Sequence, residues 1–147
     1  MVYQFRFDKI LHIKETEKDA AMAEYSGAVR KFEEAANKLY ELLKKKEDME
    51  LYQSAKLLNG LTVSEIRHHQ QFIGNLQKSI DFYQKMVMNA RARMNLFQEK
   101  LMEKNVEVKK YERIREKDFL HYQEEEKFAE GRQMDEISIQ QYMNRGN

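Results

Sequence analysis

The sequence predicts an all-α fold: a long two-helix antiparallel coiled-coil hairpin in which the second helix overhangs the first. Three observations carry this. The 147 residues contain no Pro and only five Gly. Two long stretches hold apolar side chains on a 3.5-residue repeat. One strong break, KLLNGLTVSEIR, separates them.

The first helix is predicted over about residues 5–57. From Phe7, alternating steps of four and three land on Phe7, Leu11, Lys14, Lys18, Ala21, Tyr25, Ala28, Phe32, Ala35, Leu39, Leu42, Lys46 and Met49. Three lysines apart, every position is apolar, which is the pattern of a coiled-coil seam. The turn falls at about 58–63. Asn59-Gly60 supplies the left-handed conformation that ends a helix. Thr62, three residues before Glu65, forms a capping box that opens the next one. The second helix is predicted over about 64–130, its seam running through Ile66, His69, Ile73, Leu76, Ile80, Tyr83, Val87, Ala90, Met94, Phe97, Leu101, Lys104, Val108 and Tyr111. Residues 131–147, after Gly131, keep a weaker repeat and are expected to fray or to order on a partner. The length fits one coiled-coil domain over 1–147.

Two seams joined by a short loop must fold back antiparallel. Pairing residues whose numbers sum to 122 sets small against large: Ala35 with Val87, Phe32 with Ala90, Ala28 with Met94, Ala21 with Leu101. A shift of one heptad loses much of this volume matching. Lys18 then faces Lys104, a layer in which both stems lie on the seam and the ammonium groups reach outward beside Glu15, Glu17 and Glu107.

Composition narrows the function. The absence of Cys excludes disulfides and thiolate metal sites and suits a reducing compartment. A net charge of +1 gives no bulk field toward nucleic acid or anionic lipid. The start, MVYQFRFDKILHIKE, is too charged for a signal peptide, and no run of about 18 apolar residues exists. A cytoplasmic chain, held at a membrane only through partners, is expected.

No enzyme is expected. No glycine-flanked Ser, no Cys and no phosphate-cradling Gly loop is present. His68 and His69 are consecutive and point about 100° apart on a helix, so they do not share a metal in the usual way. Glu65-x-x-His68 and Asp118-x-x-His121 resemble halves of a carboxylate di-iron site, but such a site draws its ligands from four helices around one core. Neither a metal nor a cofactor is expected; His69, opposite Gln53, is expected to form a polar layer near the turn. Segment 85–117 carries ten Lys or Arg against five Asp or Glu, without aromatic residues set for base stacking, so an acidic protein surface suits it better than nucleic acid.

The informative surplus is apolar: Tyr40, Leu43, Tyr52, Phe72, Phe82, Met86, Leu96 and Met102 lie off the seam. A two-stranded coil covers a narrow stripe, so a partner or a second copy is needed to cover such a cluster.

Four stretches, YQFRFDKIL, HHQQFIGNLQKSI, NVEVKKYERIREK and RQMDEISIQQYM, in this order and spacing over nearly the whole chain, resemble the FliJ family, coiled-coil components of the bacterial flagellar type III export apparatus, in its Bacillus-type branch. The resemblance implies a hairpin like the central stalk of rotary ATPases. It implies insertion into the hexameric export ATPase, binding to the export gate protein FlhA, and traffic of export chaperones, at the cytoplasmic face of the membrane. The free form is expected to be monomeric; the alternatives are a structural coiled coil that self-associates and a chaperone for one export substrate. Family gate-binding positions carry over to Lys38, Leu42, Lys45, Met49, Phe72, Leu76, Ser79 and Tyr83, with Phe72 and Leu76 inside the matching QQFI-x-x-L motif. Leu42, Met49, Leu76 and Tyr83 also fall on the seam, so there the two readings compete. Phe72 satisfies both, lying beside Ile73.

Overall fold

A computed structural model describes residues 2–145; residues 146 and 147 of the expected tail lie outside the described residues. Two helices make up the fold, α1 over Asp8–Asn59 (52 residues) and α2 over Val63–Arg145 (83 residues), packed against each other as an antiparallel hairpin. Gly60, at φ 89°, turns the chain out of α1, and its N–H donates to the Leu57 carbonyl at 3.4 Å. The capping box closes in both directions: Glu65 N–H donates to Thr62 Oγ1 at 3.2 Å, and Thr62 N–H to Glu65 Oε2 at 3.4 Å. Two of the donors left over at the start of a helix are thereby satisfied.

Two boundaries differ from expectation. α1 starts at Asp8 rather than near residue 5, because the preceding residues are held in another conformation by aromatic contacts with α2. α2 continues through Gly131 to Arg145 instead of stopping near 130. One glycine costs a helix only about 1 kcal/mol against Ala, and no Pro follows to enforce a stop.

The chain divides into two compact units. The unit holding the turn spans Ala20–Met102. Ala21, Ala28, Ala35, Leu76 and Ile80 are its buried core, while Tyr25, Phe32, Leu39, Ile73, Val87, Ala90, Met94, Phe97 and Leu101 are half-buried along the same two seams. Cross-helix contacts fix the alignment: Lys100 pairs with Glu24 at 3.2 Å, and the Arg91 guanidinium lies 5.9 Å from the Phe32 ring centre. These contacts join positions whose numbers sum to 124 and 123, within two of the 122 used in the volume matching.

The unit holding the chain ends comprises Met1–Asp19 and Glu103–Asn147. Leu11 and Val108 are almost fully buried, and Phe7 meets Tyr111 edge to face at 6.5 Å. The lysine layer is organised by cross-helix pairing. Glu17 sits 3.1 Å from Lys104 and 3.7 Å from Lys14, and Lys14 sits 2.6 Å from Glu107. Glu17 compensates Lys104 of the expected layer, while Glu107 pairs with Lys14, one position along the seam from Lys18. The segment before α1 crosses onto α2: Tyr3 donates to Asp118 Oδ2 at 2.7 Å and packs its ring 5.1 Å from Phe119 and 5.2 Å from Tyr122. From residue 123 to 145 every side chain of α2 is exposed.

Candidate partner-binding surface

Near the turn, a 3.5-residue repeat dictates which side chains remain reachable. Positions on the seam point at the opposite helix, and their neighbours point sideways to water. Phe72 is such a neighbour. It is 39 % exposed, and the Lys45 ammonium lies 5.6 Å from its ring centre across the hairpin. Lys38, Lys45 and Ser79 are exposed, and Leu42, Met49 and Tyr83 are half-buried. Leu76 differs: it is 7 % exposed and belongs to the core. Its side chain points into the seam, so it supports the surface by holding α2 against α1, and direct contact with a partner does not suit it.

Around these residues, Tyr40, Leu43, Tyr52, Phe82 and Met86 are all exposed. A groove of about 490 Å³ lies beside the turn, walled by Met49, Tyr52, Lys56, His68, His69 and Phe72. Lys56 places its ammonium 5.4 Å from the Tyr52 ring centre. A hydrogen bond with the Tyr52 hydroxyl, followed by its Coulombic influence, raises the Lys56 pKa, so this cation is held charged at the groove edge. His69 Nε2 is buried without a hydrogen-bond partner. The expected polar layer with Gln53 therefore does not form through that atom.

The residues weighed as metal-ligand halves are occupied differently. Glu65 caps α2. Asp118 accepts from Tyr3, and His121 Nε2 lies 3.1 Å from Glu125. Among the described residues no group of three or more His, Cys, Asp or Glu is placed to hold a metal ion. Nor is any described helix long and apolar enough to cross a membrane.

Sequence reasoning missed two features of the molecule. The Tyr3 contact spans 115 residues of chain and leaves no periodic trace. The Lys45–Phe72 stacking depends on how far a lysine stem reaches across the seam, which the positions Lys45 and Phe72 hint at only once the register is known.

Fold and surface together define a class: a two-helix coiled-coil hairpin that offers apolar and cationic side chains beside its turn. Comparison with known proteins narrows the class. The model of the family described as Flagellar FliJ protein matches residues 3–147. The chain is 50 % identical over 147 residues to the Flagellar FliJ protein of Bacillus subtilis (strain 168), with 100 % of each chain covered. The chain belongs to the FliJ family of flagellar proteins. No solved structure matches it significantly.

Proposed function

We propose that this protein is a non-enzymatic component of flagellar protein export that enters the export ATPase hexamer as a stalk-like coiled coil, promotes its assembly and activity, and links it to the export gate FlhA and to export chaperones. The observation that carries the reading is family membership over nearly the whole chain, joined to a hairpin whose two helices differ by tens of residues in length. An unsymmetrical peg touches the members of a ring unequally. If it binds the assembled ring better than free subunits, it shifts the population toward hexamer by mass action. Active sites shared between neighbouring subunits then turn over faster.

In this reading the unit with the chain ends enters the ring and the surface around Phe72 faces the gate. The motivation lies in the sequence: Tyr40, Leu43, Tyr52 and Phe72 precede the stretch 85–117, which carries ten Lys or Arg against five Asp or Glu. A variant ending after Arg115 tests the orientation: hexamer formation by the ATPase, followed by sedimentation, should lose its dependence on the added protein. Undiminished hexamer formation would reverse the assignment of ends.

The exposed apolar side chains near the turn also favour a second reading, a scaffold that self-associates. Light scattering separates the two, because a tight dimer at low micromolar concentration supports the scaffold and a monomer supports the peg.

A further inference from the structure

The first helix carries a run of small residues, and they leave a gap. Ala28 and Ala35 of α1 and Ala90 of α2 lie at the floor of a groove of about 510 Å³ along one side of the hairpin, bordered by Tyr83 and Met86. A second hollow, of about 210 Å³, continues it past Ala23 and Gly27 to Phe97. A Cβ added at Gly27 would meet nothing within 4 Å, so that end is open outward.

Lys31, Lys38 and Arg93 line the groove with Glu34 as the carboxylate beside them. Glu24, in the adjoining hollow, is engaged by Lys100. Lys31 and Lys38 make no ion pair among the described residues, and Arg93 stacks on Phe97 at 5.8 Å. Three cations against one free carboxylate define the charge of whatever fits. From Ala23 to Lys38 α1 runs about 22 Å at 1.5 Å per residue, room for about four turns of another helix.

We infer that this groove takes an amphipathic helix of a partner protein, with acidic side chains seven residues apart to meet Lys31 and Lys38 and small or slender apolar residues against the alanines. Residues seven apart on a helix share a face, as the two lysines do. A second copy using the same face would bring like cations together, which opposes self-pairing. The inference does not rest on the gate reading, although Lys38 and Tyr83 belong to both; peptide binding by the isolated chain is independent of the gate protein.

The probe is a synthetic helical peptide of about 15 residues with Ala and Leu on one face and Glu at positions i and i+7, labelled for fluorescence anisotropy. Binding is expected to weaken about tenfold or more in the Lys31→Glu/Lys38→Glu variant, and also when both peptide Glu are replaced by Lys. Gly27→Leu, which fills open space and favours the helix, should also weaken it, with circular dichroism unchanged. Absent binding, equal binding of both peptides, or wild-type binding by the charge-reversed variant would overturn the inference. Self-association that the double variant abolishes would assign the groove to a second copy and overturn the choice of partner.

Discussion

Lys45 of α1 reaches across the hairpin to lie over the ring of Phe72 on α2, ammonium to ring centre 5.6 Å, while 39 % of the phenylalanine stays open to solvent. One face of the ring is thus tied to the hairpin and another is free for a partner. A cation over an exposed ring contributes about 0.5–1 kcal/mol. Replacing Phe72 by Ala removes that and some partial burial but gains helix propensity, so the loss of stability should be about 1 kcal/mol. Binding to the gate protein should fall about tenfold or more, as for an aromatic anchor. Thermal melting and calorimetry on Phe72→Ala check both. A large drop in melting temperature would move Phe72 into the core.

The pair Lys14–Glu107 predicts a response to acid. The hydrogen bond from Lys14, then its charge, lowers the Glu107 pKa below its ordinary 4.5; the same bond raises that of Lys14 above 10.5. A carboxylate with a depressed folded pKa stabilises the fold above its unfolded pKa, and this contribution is lost as pH falls through the folded value. Glu107→Gln should therefore be less stable than the parent at neutral pH, the gap narrowing below about 4.5. Urea midpoints across that range check it. A gap independent of pH would mean that packing, not charge, separates the variants.

Tyr3 gives an alkaline counterpart. Loss of solvent around the ring, then the hydrogen bond to Asp118 and its charge, push the phenol from 10.0 up to about 12. A group with a raised folded pKa contributes stability that is fully present below its unfolded value and disappears as pH rises through the folded one. The docked segment should thus release between about pH 10 and 12. Tyrosinate absorbance should show late titration from Tyr3 and from Tyr122, whose hydrogen bond to Glu126 also raises its phenol; Tyr3→Phe should remove the component near 12, and an unchanged titration would place Tyr3 free in solution.

These features differ in how plainly the sequence announces them. The two seams are legible because a 3.5-residue repeat leaves the same mark at every turn: no position from Phe7 to Met49 or from Ile66 to Tyr111 on those repeats is exposed. Leu76 was ambiguous only because a family position and a seam position coincide there, and burial resolves which contact its side chain makes. Tyr3 lies ahead of the repeat and gains its place from contacts more than a hundred residues away. Neither propensity nor spacing encodes such a pairing. The extension of α2 beyond Gly131 was hidden for another reason: an isolated glycine weakens a helix without deciding its fate.

The turn offers a local test. Thr62→Ala removes one half of the capping box and should cost about 1 kcal/mol. Gly60→Ala forces a Cβ into a backbone with φ 89° and should cost about 1–2 kcal/mol. Both losses should be read as lower melting temperatures without loss of helicity at low temperature. A neutral Gly60→Ala would show that the chain turns with another conformation there.

ATP hydrolysis by the cognate flagellar export ATPase, measured as this protein is added, tests the stalk-like role most directly. The rate should rise and level off near one chain per ring, with less stimulation by the variant ending at Arg115. A rate unchanged at several-fold excess of the intact chain would contradict the proposed role.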